Sequence, residues 1–127
     1  SLTGFTHACP GPTRAASQLH DLLAYLGGRG VVTLVTVPEH GLIGNATEPQ
    51  VDISYIADTV LLLQHYEAQG EIRKAIAVVK RRRGGHDQRV REFGMSDVGL
   101  AVGDPIVEYQ GVLSGIAARV ASPRLPA

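Results

Sequence analysis

The sequence predicts an α/β fold: a helix and a strand first, then an antiparallel β meander, then a C-terminal helix. Three observations carry this expectation. Ala15, Ala16, Leu19, Leu22, Leu23 and Leu26 recur at helical spacing. Residues 31–37, Val-Val-Thr-Leu-Val-Thr-Val, are rich in β-branched side chains and apolar throughout, the pattern of a strand covered on both faces. Residues 58–95 hold three strand-like runs separated by short turns that contain glycine. Neither an all-α nor an all-β fold accommodates all three.

The elements follow in chain order. Residues 1–12, with Pro10, Gly11 and Pro12, read as a loop. Thr13 is placed to cap the first helix and Gly27-Gly28 to end it. Residues 38–50, rich in Pro, Gly, Asn and Thr, read as a loop, and 51–57 as a short helix. Residues 58–66 form a strand, Gln69-Gly70 a turn, and 71–82 a long returning strand. Arg83 to Asp87 make a loop, 88–95 a third strand, and Ser96 to Gly99 a turn into a short strand near 100–102. Asp104 as N-cap and Pro105 at the first position start a helix with the stripe Ile106, Tyr109, Leu113 and Ile116. Residues 122–127, with two prolines, read as a frayed tail, which leaves 1–121 as one domain.

At 127 residues the chain has the size of one ordinary domain. Hydrophobic residues at 44% and charged residues at 19% argue against a disordered chain. No apolar run approaches the roughly 20 residues of a membrane helix, and the first residues lack the pattern of a secretory signal. A single cysteine, Cys9, excludes an intrachain disulfide and fits a reducing, cytoplasmic compartment. Net charge is zero, but the charges are segregated. Six acids and no Lys or Arg lie between Gly30 and Ile72; eight bases and one acid lie from Ile72 to Arg91. That asymmetry suggests head-to-tail self-association or a local anion site; two solvated faces are the plain alternative.

The densest chemical signal is Lys80-Arg81-Arg82-Arg83-Gly84-Gly85-His86-Asp87. On a strand, Lys80 and Arg82 point to one face and Arg81 to the other. A Lys and an Arg on one face form a two-pronged clamp for phosphate oxygens, and the Gly84-Gly85 turn returns His86 to the same end. The alternative is a solvated basic hairpin tip. The Arg-Arg-Arg-Gly-Gly run also resembles an RGG-type segment, but the missing aromatics and the zero net charge argue against nucleic acid. Five histidines raise a metal hypothesis; His7 and Cys9, His20 and His40 show no ligand spacing, so no metal is expected. No G-x-x-x-x-G-K-[ST] and no G-x-S-x-G occurs, so no complete catalytic machine is present.

The block from Ile53 to Phe93, Ile-Ser-Tyr-Ile-Ala-Asp-Thr through Val-Val-Lys-Arg-Arg-Arg-Gly-Gly-His-Asp to Arg-Glu-Phe, resembles the KaiC and KaiC-like circadian clock ATPases of the RecA superfamily. Ser1 to Gly4 is similar to the residues just after the Walker B aspartate, Gln18 to Leu26 to the next helix, and Gly30 to Gly44 to the next strand and loop. The resemblance reaches about Gly115 and implies the C-terminal half of one RecA-like ATPase domain, without Walker A and without the Walker B Asp. In such a sheet, residues 31–37 would be a central parallel strand.

The resemblance further implies that Lys80, Arg82 and His86 contact the phosphates of ATP bound by a neighbouring subunit, in a ring that is hexameric in the family. It makes Thr36 and His40 candidate γ-phosphate sensors. It makes Ser54 a candidate phosphosite, although Tyr55 stands where the clock proteins have a threonine. ATP and Mg²⁺ are the implied cofactors, neither expected to bind tightly to this chain alone, and the implied partners are further copies and signalling proteins. The alternative is a non-enzymatic oligomerisation or signalling module derived from such a domain.

Overall fold

The computed structural model describes residues 1–38 and 55–121, and the chain divides into two compact units. The first holds two helices and the segment that follows them. Helix α1 spans Leu2–Ala8, where a loop is expected from sequence. Seven residues with Gly4 and two threonines carry little helical propensity, which hides the element from a pattern search. Helix α2 spans Pro12–Gly28. Its N-cap is Gly11 rather than Thr13, and Pro12 takes the first position, where a missing N–H costs nothing.

Ala15 and Leu19 are the buried residues of α2, one turn apart. The helix ends in a Schellman motif. Gly30, at φ 74°, supplies the left-handed residue; its N–H donates to Gly27 and that of Val31 to Leu26, at 3.1 and 3.0 Å. The predicted strand at 31–37 does not form. The segment belongs to no ladder, and Val32 and Leu34 are each 87% exposed. A strand exists only through its neighbours' hydrogen bonds, so β-branched composition alone does not create one. Within the unit, the Leu2 N–H donates to the Thr36 carbonyl of this segment at 2.9 Å.

The second unit is an antiparallel sheet in the order β1-β2-β3-β4, with β1 at Thr59–Ala68, β2 at Glu71–Arg81, β3 at Arg91–Ser96 and β4 at Gly99–Pro105. Gln69 and Gly70 close the first hairpin with φ of 55° and 77°, the two positive values a two-residue turn of this twist requires. Pairing runs from Ala68 opposite Glu71 to Thr59 opposite Arg81. One irregularity interrupts it: Leu61 faces Val78 whereas Val60 faces Lys80, so Val79 is an extra residue, a β-bulge.

The predicted C-terminal helix is absent. Strand β4 continues through Pro105, and the chain then forms a short ladder, β5 at Tyr109–Gln110 with β6 at Ala118–Arg119, around a 3₁₀ turn at Val112–Ser114. Gly111 and Gly115, at φ 73° and 79°, break any helix through this stretch. The core of the unit is Tyr66, Ala68, Ala75 and Val112, flanked by Val90, Ile106, Tyr109 and Ala117. The Tyr66 and Tyr109 rings lie 6.4 Å apart at 56°, a tilted contact of the kind aromatic quadrupoles favour. Burial pushes the Tyr66 phenol pKa up, with the nearby Glu92 carboxylate adding to it.

The described parts of the other predicted elements can be placed. Tyr55 and Ile56 form a turn rather than the end of a helix. Residues 51–54 of that predicted helix and the tail at 122–127 lie outside the described residues. The third strand begins at Arg91 rather than 88; Arg89, just before it, is bonded to Asp87 through both its main-chain N–H and its guanidinium.

Candidate anion site at the end of the second strand

Lys80 sits on β2, and the bulge decides which face it shares. In an unbulged strand, alternation would set Lys80 on the face away from Ala75 and Ala77. With the extra residue, Lys80 pairs with Val60 and so shares the face of Leu62, Gln64 and Tyr66, the face of the buried Ala75 and Ala77. Arg81 pairs with Thr59 on the other face. Arg82 lies just past the strand, where its N–H donates to the Asp58 carbonyl at 2.7 Å and carries the pairing on by one step. Continued by one step past the strand, the register sets Arg82 on the side of Lys80 and Arg81 on the other.

The basic side chains are organised by carbonyls and carboxylates. Arg82 Nη1 lies 3.1 Å from Asp58 Oδ1, so Asp58 holds this arginine through both its backbone and its side chain. Arg81 Nη1 donates to the Gly85 carbonyl at 2.9 Å, bridging the base of the loop whose turn is made by Gly84 at φ 78°. On the far side of His86, Asp87 acts as a clasp. It accepts from the backbone N–H of Arg89 at 3.1 Å, from Arg89 Nε at 2.8 Å and Nη2 at 3.2 Å, and from Arg91 Nε at 2.8 Å. Arg91 Nη1 then donates to the Gly103 carbonyl of β4 at 3.0 Å. The residues on either side of half-buried His86 are thus tied, one to β2 and one to β3 and β4.

Electrostatics follow from these contacts. The side-chain bonds from Arg89, and then Arg91, hold the Asp87 carboxyl well below the usual carboxylate range. In return Asp87 raises the pKa of Arg89. Both carboxylates escaped the sequence reading. Asp87, Arg89 and Arg91 stand at i, i+2 and i+4, a same-side spacing in extended chain that would have flagged the clasp.

The other candidate residues are placed less closely. Thr36 is in the first unit, and its carbonyl is engaged by Leu2. His40 and Ser54 lie outside the described residues. Among the described residues no three His, Cys, Asp or Glu side chains gather as a metal site, and no helix is long and apolar enough to cross a membrane.

No protein-family model matches the chain. Among curated proteins, it is 33% identical over 94 residues to circadian clock protein KaiC3 of Synechocystis sp., a match covering 74% of this chain and 19% of that protein. It is 42% identical over 69 residues to the circadian clock oscillator protein KaiC of Picosynechococcus sp., covering 54% of this chain and 13% of the relative. Against KaiC of Synechococcus elongatus the identity is 41% over 68 residues, again 54% and 13%. The chain thus spans less than a fifth of the length of these relatives, and over the matched stretch it is KaiC-like.

Proposed function

We propose that this chain is part of a KaiC-like ATPase domain and that Lys80, Arg82 and His86 supply contacts to the phosphates of an ATP held by a neighbouring subunit. The observation carrying the reading is the strand-end geometry. Lys80 and Arg82 share one face, Arg81 faces the other way, and His86 sits in a loop tied on both sides. Such a set of cations suits a phosphate chain: Arg offers a planar fork, Lys a compact charge, and His a third donor when protonated. When bound, ATP with Mg²⁺ supplies the reactive phosphoryl group; the residues of this chain neutralise and orient its oxygens.

Self-association is part of the same reading. A contact made to a neighbour's nucleotide needs that neighbour. The exposed side chains of Val32 and Leu34 favour cover from another polypeptide.

The test is mutational, in the full-length protein. Arg82→Ala lowers ATP turnover on the order of 10³-fold with little change in ATP affinity, because an arginine of this kind acts on charge that develops in the transition state. Arg81→Ala, which loosens the loop base only, costs about tenfold or less. Equal losses from the two changes would exclude the one-face clamp.

A further inference from the structure

Asp58 is an unexpected neighbour for an anion site. A carboxylate 3.1 Å from the guanidinium that is to meet a phosphate repels that phosphate, and its own side chain is 80% exposed. Its charge alone therefore argues for absence, not presence. Two contacts converge on the same residue pair, however. The Asp58 carbonyl fixes the Arg82 backbone and its carboxylate touches Nη1. The backbone contact sets where Arg82 starts, and the carboxylate contact restrains the Nη1 end of its side chain. A free arginine side chain carries many rotamers, and that freedom would otherwise be lost on meeting an anion.

Resting on the phosphate reading above, we propose that Asp58 is a positioning residue. It pre-orients the Arg82 guanidinium toward the face shared with Lys80, and this ordering outweighs the repulsion between its carboxylate and a phosphate. Asp58 itself touches no phosphate.

The sign of one mutation separates this role from plain electrostatics. If Asp58 were only a nearby negative charge, its removal would tighten anion binding. As a positioning residue, its removal weakens it. Asp58→Ala is a clean probe, because the main-chain bond to Arg82 does not depend on the side chain. Asp58→Asn keeps an oxygen acceptor in place and removes the charge.

The experiment uses the whole 127-residue chain and inorganic tripolyphosphate, followed by NMR with arginine Nε–H relaxation as a readout independent of turnover. The expected result is an ordered Arg82 Nε–H without ligand, disordered in Asp58→Ala and ordered again in Asp58→Asn. Tripolyphosphate binding weakens about three- to tenfold in Asp58→Ala, is unchanged or tighter in Asp58→Asn, and falls no further in Asp58→Ala/Arg82→Ala than in Arg82→Ala alone. Tighter or unchanged binding by Asp58→Ala, or losses that multiply in the double variant, would overturn the positioning role while leaving the clamp standing. Failure of Lys80→Ala and Arg82→Ala to affect tripolyphosphate binding would overturn the phosphate reading, and this inference with it.

Discussion

Asp87 shows how much order an exposed carboxylate can impose when its partners are arginines at fixed spacing. Three bonds from Arg89 and one from Arg91 stabilise its ionised form. The folded pKa is depressed, so the contribution of Asp87 to stability is complete above the unfolded value near 3.9 and is lost as pH falls through the folded one. The clasp should therefore survive at pH values where ordinary carboxylates are largely protonated. In a carboxyl ¹³C titration, the Asp87 midpoint is expected clearly below the ordinary aspartate value. A midpoint near 3.9 would mean that the arginines do not hold it in solution. Tyr66 behaves in the opposite sense, for burial raises its pKa and so keeps it neutral to higher pH.

The first hairpin was legible because alternation, a Gln-Gly turn and a basic end all agree on it. The first residue of β3 was not: Arg89, two residues before it, is bonded to Asp87 through its main chain and side chain, a contact that strand propensity does not record. Residues 106–116 failed for a different reason. Ile106, Tyr109, Leu113 and Ile116 fit a helical stripe, but two glycines in the left-handed region cut through it, and Ile116 is 72% exposed.

Gly111 carries a specific consequence. A Cβ there would come within 2.8 Å of the Ile116 carbonyl oxygen, at a φ of 73° that side chains rarely adopt. Gly111→Ala is thus expected to destabilise the chain by about 1–3 kcal/mol, read as a lower midpoint in urea. Gly85→Ala, where a Cβ meets nothing within 4 Å and φ is not positive, serves as the comparison and should be near neutral. Lys80, Arg82 and His86, the proposed phosphate contacts, stand out in the sequence as a motif. Their organising carboxylates and the bulge that selects their face do not, because these depend on register rather than on composition.

At the scale of the whole molecule, the proposed function ties nucleotide contact to association. These 127 residues contain no G-x-x-x-x-G-K-[ST] cradle of backbone N–H groups. The chain alone is expected to show no ATP hydrolysis, and calorimetry should find no micromolar, Mg²⁺-dependent affinity. Sedimentation across a dilution series is expected to show oligomers that dissociate only at low concentration. A dilute, fully folded monomer with slow amide exchange across 31–37 would refute that association.

Strand β1 carries one last consequence. Among the described residues it has a single strand neighbour, β2, so along its ten residues one rim has no ladder partner among them. Val60 to Leu63 lie on that rim as four consecutive aliphatics, without the proline, lysine or glutamate that act as gatekeepers elsewhere on sheet margins. Such a run is the seed composition of a steric zipper. Colloidal lifetime rather than folding should therefore limit the isolated chain. Concentrated samples are expected to grow thioflavin-positive fibrils after a lag, and Leu61→Lys, on a half-exposed face of the strand, should lengthen that lag without melting the sheet.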